Sequence, residues 1–70
     1  MTLCQFNAAD EMEQIEAFWK GVLIGKRKDD EFEIECRQIE DFYVEYKILN
    51  GQYIDMRSFM NPHMLQPYLD

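Results

Sequence analysis

The first third of the chain has the spacing of an amphipathic helix. Asn7 is suited to cap its start, Asp10 with Glu13 offers a second, overlapping capping box, and Gly21 is suited to end it. These signals predict one helix over residues 8–20, with Phe18 flanking its apolar stripe. The stripe consists of residues three and four positions apart, Ala8, Met12, Ile15 and Trp19.

Beyond Gly21 the pattern changes to the alternation of apolar and polar residues that is typical of strands. Four segments show it: GVLIGKR, FEIECRQ, FYVEYKIL and QYIDMRSFM. In the tail, Asn61 and Pro62 start a short helix, which Pro67 bends or ends. The prediction is an α+β fold in two layers and one domain, residues 1–70. An N-terminal helix packs on a four-stranded antiparallel β-meander, and a short C-terminal helix follows (α-β-β-β-β-α).

The hairpin loops decide which residues share a face of this sheet. Asn50-Gly51 is typical of a two-residue hairpin loop, but that loop pairs Lys47 with Ile54 and mixes charged with apolar side chains. A three-residue loop over 49–51 brings the large aliphatic residues onto one side. The same reasoning favours a three-residue loop over 39–41.

Those loops predict one buried face and one open face, with the first helix and the tail together covering the buried one. The buried face comprises Val22, Ile24, Phe32, Ile34, Cys36, Phe42, Val44, Tyr46, Ile48, Ile54 and Met56. The open face comprises Glu33, Glu35, Arg37, Tyr43, Glu45, Lys47, Tyr53, Asp55 and Arg57.

Composition narrows the classes of partner. The 70 residues carry fourteen carboxylates against seven Lys and Arg, a net charge of −7, so we expect neither nucleic acid nor an anionic membrane surface as a partner. No uncharged run approaches the ~20 residues of a membrane span, and no secretory signal is evident. We therefore expect a cytoplasmic protein in which Cys4 and Cys36 are reduced thiols.

The sequence offers little for catalysis. His63 is the only histidine and has no neighbouring nucleophile, while Cys36 alternates in step with apolar residues as a core cysteine does. The acids Glu31, Glu33 and Glu35 share one strand face and are expected to be solvated. The prediction is a protein that is not an enzyme, with no catalytic, cofactor or metal site.

The remaining functional signal is a set of aromatic and methionine side chains on or beside the open face, a composition found at protein interfaces. These candidates are Tyr43, Tyr53, Phe59, Met60 and Met64. We expect a small interaction module whose partner is another protein or a second copy of the chain. The alternative is an acidic decoy whose carboxylates imitate nucleic acid and block a basic nucleic-acid-handling enzyme.

Overall fold

The predicted order of one helical region, four antiparallel strands and a short C-terminal helix is confirmed by the structure, a computed structural model that describes residues 1–68. The elements are α1 (Leu3–Ala8), α2 (Glu11–Lys20), β1 (Val22–Asp29), β2 (Phe32–Ile39), β3 (Phe42–Leu49), β4 (Gln52–Phe59) and a C-terminal 3₁₀ helix (Pro62–Tyr68). The strands lie in the order β1-β2-β3-β4, each pair antiparallel.

The N-terminal region forms two helices, so the prediction of one helix capped by Asn7 was wrong. Thr2 caps α1, its hydroxyl accepting the Gln5 N–H at 3.1 Å while the Gln5 side chain accepts the Thr2 N–H at 2.8 Å. Asp10 caps α2 by accepting the Glu13 N–H at 2.9 Å. The second cap that the sequence offered, Asp10, is thus the one that starts the main helix, and its extended backbone separates α2 from α1.

All three hairpins close with two residues, at positions 30–31, 40–41 and 50–51. The predicted three-residue loops over 39–41 and 49–51 were therefore wrong. The first loop residue has a positive φ each time: 59° at Asp30, 55° at Glu40 and 53° at Asn50. Gly51 follows with a φ of 80°, which completes the positive pair that a tight hairpin favours.

A β-bulge in β4 resolves the conflict that the two-residue Asn50-Gly51 loop creates. Ile48 lies opposite Tyr53, but the next pair joins Lys47 to Asp55, which leaves Ile54 as the extra residue. Because this extra residue is inserted, every later side chain of β4 lies on the opposite face from the one that regular alternation would give it. The alternation is therefore corrected inside the strand and not in the loop.

No such slip interrupts the pairing of β2 with β3, and the predicted buried face is consequently divided between two sides. On β2, the side chains of Phe32, Ile34 and Cys36 lie on the side that the 3₁₀ helix contacts, here called the tail side. On β3, Phe42, Val44, Tyr46 and Ile48 lie on the side that α1 and α2 contact, here called the helix side. The prediction of a single buried face was wrong.

The larger core lies on the helix side, where the ring of Phe6 meets that of Phe42 at 5.5 Å between centroids. Phe18 is completely buried, whereas Met12 is 74% exposed and Trp19 48% exposed. The buried stripe of α2 is therefore centred on Phe18 and not on the predicted Met12 and Trp19. The cluster of buried residues is Phe6, Phe18, Ile39, Phe42 and Val44.

The tail covers the opposite side of the sheet, although we expected it to assist the helices. Tyr68 lies directly against Gly25 of β1, where an added Cβ would stand 3.2 Å from the tyrosine ring. A Cβ at position 25 would require Tyr68 to move by about a few tenths of an ångström. Gly25 therefore permits the close approach that lets a short 3₁₀ helix cover Cys36 and its neighbours.

Candidate functional site

Three aromatic rings form a continuous surface on the helix side, which we call the aromatic platform: Trp19, Tyr46 and Tyr53. The centroids of Trp19 and Tyr46 lie 5.7 Å apart, and those of Tyr46 and Tyr53 lie 5.1 Å apart. Trp19 is 48% exposed and the tyrosines are half-buried. The platform therefore presents aromatic surface to the outside.

The position of Trp19 follows from helix geometry. Phe18 and Trp19 are adjacent, so their side chains leave α2 about 100° apart and cannot both enter the core. Phe18 stacks on Tyr46 at 5.0 Å, which leaves Trp19 on the flank of the helix in edge contact with Phe18 at 5.1 Å. Sequence reasoning missed Trp19 and Tyr46 as surface candidates, although the paired aromatics were a signal that one of them must lie at the rim.

Arg37 fixes the end of α2 over the sheet. Its Nη1 donates to the carbonyl oxygen of Gly21 at 3.1 Å, and its guanidinium lies 5.0 Å from the Trp19 ring centroid. Its Nε donates to Glu35 at 2.6 Å, and Glu35 is only 7% exposed. Glu35 was predicted to be solvated, but burial is tolerated because Arg37 and Lys26, at 3.7 Å, neutralise it.

A hollow of about 480 Å³ adjoins the platform beside Ile48. Strand pairing brings Lys26 opposite Glu35 and Lys28 opposite Glu33 along its rim. Lys28 and Glu33 are exposed, and neither forms an ion pair within residues 1–68. The rim of the platform thus carries both positive and negative side chains. Two of these side chains, Lys28 and Glu33, are available to pair with a partner.

The tail side carries a buried polar network that the sequence gave no sign of. Glu45, 8% exposed, accepts a hydrogen bond from the Tyr68 hydroxyl at 2.5 Å and from Arg27 Nη2 at 3.4 Å. Glu45 was expected on an open, solvated face. A lone buried carboxylate is costly, and here Tyr68 and Arg27 supply its donors.

Burial and the hydrogen bond to Glu45 raise the pKa of Tyr68 well above its ordinary value. Burial lowers the pKa of Arg27, but hydrogen bonding and charge from Tyr68 and Glu45 more than offset this, so the net pKa is raised. Both groups therefore keep their protons throughout the neutral range. The network is a fixed donor–acceptor arrangement and not a proton-transfer relay.

Cys36 does not have the setting of a reactive nucleophile. Cys36 is completely buried, and burial followed by the charge of Glu45 raises its pKa to about 12. A thiolate is the reactive form, so this environment suppresses reactivity. Cys4 is exposed on α1, and both thiols are free. Within residues 1–68, no three His, Cys, Asp or Glu side chains are grouped as ligands for a metal ion.

The structure divides the predicted interface residues between the two sides of the sheet. Tyr43 stacks on Phe59 at 5.5 Å on the tail side, and Phe59 is 8% exposed. Tyr53 lies on the helix side within the platform. Met60 and Met64, beside the tail, are 51% and 41% exposed. The five residues do not form one surface, and only Tyr53 belongs to the platform.

Tyr53 remains a hydrogen-bond donor at neutral pH. Burial, together with the negative charges of Glu11 and Asp55, raises its pKa.

None of the helices in residues 1–68 combines the length and the apolar character that crossing a membrane requires. Comparisons with protein-family models, curated proteins and solved structures found no match.

Proposed function

We propose that this protein is a small cytoplasmic interaction module that pairs with a second copy of itself through the aromatic platform. The observation that carries the proposal is the contiguous surface of Trp19, Tyr46 and Tyr53, left uncovered beside α2. Tryptophan, tyrosine and arginine are the residues that most often dominate binding energy at protein interfaces. Arg37, which lies over Trp19, adds the third of these types.

Charge at the rim favours a second copy as the partner. A two-fold interface places the same patch on both copies, so the patch must complement itself. Lys28 and Glu33 provide this, because the cation of one copy can face the acid of the other. With Lys26, Glu35 and Arg37, the rim has three cations and two acids, and Glu11 adds a third acid close to Tyr53. The charges around the platform are thus balanced, unlike the −7 of the whole chain.

Part of the acid surplus lies away from the platform. Glu40 and Asp41 occupy the turn at the opposite end of β2 from Lys28 and Glu33. Two copies that meet at the platform therefore keep these two acids away from the contact, where like charges would oppose binding.

The cysteines support the cytoplasmic part of the proposal. Cys4 and Cys36 are both free thiols, one exposed and one buried. Free thiols persist in compartments that glutathione and thioredoxin keep reducing, as in the cytoplasm. Fractionation of the native host's cells, followed by immunodetection, tests this location; recovery from the culture medium contradicts it.

Self-association is tested by sedimentation velocity over a range of concentrations. We expect the mass to change from the 8.5 kDa monomer to the dimer as concentration rises. Trp19 is the only tryptophan, so its emission should shift to shorter wavelength over the same range. A monomeric mass at every concentration overturns the proposal.

Substitution locates the contact. Trp19→Gln keeps good helix propensity but removes the exposed ring, and we expect it to weaken dimerisation at least tenfold, about 1.4 kcal/mol. Met60→Gln is the matched control, because it removes a comparably exposed apolar side chain outside the platform and should leave the dimer unchanged. Equal effects of the two substitutions would show that the platform is not the contact.

Charge reversal tests the two-fold arrangement. Lys28→Glu and Glu33→Lys should each weaken self-association, since each leaves a rim of like charges facing its copy. Mixing the two variants in equal amounts should restore a dimer, now of mixed composition. Lys28 and Glu33 are also neighbours within one chain. Mixing cannot repair a defect inside one chain, so absence of mixed dimers would contradict the arrangement.

The acidic decoy is a second candidate function, because α2 carries several exposed carboxylates. Glu11 and Glu13 lie in its first turn, and Glu16 is exposed one turn later. These carboxylates present negative charge to solvent without an ion pair in the described residues. Binding to a basic nucleic-acid-handling enzyme at low salt, abolished by Glu13→Gln with Glu16→Gln, would favour this function over self-association.

A further inference from the structure

The tail side of the sheet contains a polar cleft of about 320 Å³, on the opposite face from the aromatic platform. Strand pairing assembles it: Lys47 lies opposite Asp55, and Glu45 lies opposite Arg57. Its lining comprises Arg27, Asp29, Ile34, Glu45, Lys47, Asp55 and Arg57. The cleft therefore combines three cations and three carboxylates over the apolar side chain of Ile34.

The carboxylates of the cleft already have partners within the chain. Glu45 accepts from Tyr68 and Arg27, as described above. Asp55 accepts the backbone N–H of Met56 at 2.8 Å. Asp29 lies 4.0 Å from Arg27. Each of these carboxylates therefore already accepts a hydrogen bond or faces a cation within the chain.

The cations of the cleft have fewer partners within the described residues than its carboxylates have. Neither Lys47 nor Arg57 has a carboxylate within 4.0 Å in the part of the chain that the structure describes. Lys47 is held over the Phe32 ring at 4.3 Å, which positions its ammonium group. The Nε of Arg27 is buried and has no acceptor among the described residues. The cleft thus has donors to spare.

We infer that this cleft binds a small oxyanion, a phosphate or carboxylate group on a small molecule, with Arg57 and Lys47 as its principal ligands. Arginine donates through a planar fork that matches such groups, and lysine adds a compact charge. The volume is at the lower end of the range for small-molecule sites, about 300–1,000 Å³.

The net charge of the chain does not prevent this binding. At physiological ionic strength the Debye length is about 8 Å, so exposed acids farther away are largely screened. Asp55 and Glu45 lie closer than that, directly opposite Lys47 and Arg57, but they already accept hydrogen bonds from the Met56 N–H and from Tyr68 and Arg27. The cleft lies on the other side of the sheet and shares no residue with the platform, although Arg27 and Ile34 also line the hollow beside Ile48.

The test is a titration of the whole chain with inorganic phosphate and, separately, with succinate, followed by backbone amide NMR. We expect saturable shifts confined to residues around the cleft on β1, β3 and β4. Sodium chloride at matched ionic strength should not reproduce them. The probe that saturates at lower concentration identifies the preferred oxyanion. Shifts that never saturate, or that chloride reproduces, overturn the inference.

Variants separate the cleft from general charge effects. Arg57→Gln and Lys47→Gln should each raise the apparent Kd at least tenfold. Arg57 is exposed, so its substitution should leave the fold intact, which the spectrum of the free variant checks directly. Lys20→Gln removes the same charge at the exposed end of α2, on the helix side, and should leave the Kd unchanged. Equal losses in Arg57→Gln and Lys20→Gln would show that only net charge matters.

Discussion

Single side chains on the tail side connect residues that are far apart in the sequence. The Tyr68 hydroxyl reaches Glu45, and the ring of Tyr68 packs on Gly25. Arg27 joins the same group through Glu45 and lies 5.7 Å from the Tyr68 ring centroid. The buried carboxylate of Glu45 therefore holds the tail against the sheet, and the tail shields Cys36 from solvent.

The burial of Cys36 has a measurable chemical consequence. At about pH 8 a thiol-specific reagent should modify Cys4 but leave Cys36 unmodified, because reactivity requires both access and thiolate. Cys36 is completely buried and its pKa is raised to about 12, whereas Cys4 is exposed. Intact-mass spectrometry should therefore show one adduct on the native protein and two after denaturation.

The Cys4→Ser variant is the control for this prediction. In the native state it should remain unmodified, and in denaturant it should gain a single adduct at Cys36. Labelling of native Cys4→Ser as fast as that of the unfolded chain would mean that the tail does not protect Cys36.

At the scale of elements, the two β-bulges decide how the strands present their side chains. Ile54 is the extra residue in β4, and Ile24 is the extra residue in β1, between the pairs that involve Leu23 and Gly25. Each bulge lies in an edge strand, where an irregular ladder also discourages pairing with other chains. The bulges thus allow tight two-residue hairpins and a consistent core on the helix side.

The last hairpin depends on the backbone of Gly51. Its φ is +80°, and an added Cβ would meet nothing within 4 Å, so the cost of Gly51→Ala is conformational and not steric crowding. We expect a loss of about 1 kcal/mol in the free energy of unfolding, measured by urea denaturation. Gly51→Asn should cost less, because asparagine tolerates the left-handed region. A loss as large for Asn as for Ala would contradict this explanation.

At the scale of the whole molecule, the protein is a thin slab, with extents of 31 × 26 × 16 Å. One sheet covered by two short helices and a 3₁₀ segment leaves apolar surface uncovered, including Met12, Trp19 and Val22. Exposed apolar surface of this kind marks interaction sites. The two sides differ in character: the helix side is aromatic with a mixed rim, and the tail side is polar with a cleft.

Salt distinguishes the two proposed functions. Two chains of charge −7 repel each other at a distance, so raising NaCl from about 20 mM to about 500 mM should tighten self-association roughly threefold or more. Binding of an acidic decoy to a basic partner should weaken under the same change. Sedimentation measurements at both salt concentrations decide between them. Weaker self-association at high salt would contradict burial of the aromatic platform as the main source of affinity.

Local patterns in the sequence were sufficient for the class of the fold. Period-two alternation predicted the four strands, and the Asn50-Gly51 pair indicated the last hairpin. The order of elements follows from such short-range signals, because hydrogen bonding and local backbone preference act between near neighbours. The mismatch of Lys47 with Ile54 across a two-residue loop was also visible in the sequence, but it led to the wrong prediction of a three-residue loop, whereas the extra residue lies inside β4.

Only the tertiary structure decided where the extra residue of the last hairpin lies, and which side chains on each face of the sheet are buried or exposed. A loop of three residues and a bulge inside β4 satisfy the same alternation, so the choice depends on packing across the sheet. The burial of Glu45 depends on Tyr68, twenty-three positions away, and the exposure of Trp19 on how α2 crosses the sheet. Alternation in the sequence predicts which residues share a side of a regular strand, but contacts between distant segments determine where a bulge interrupts it, which side is covered and which side remains exposed.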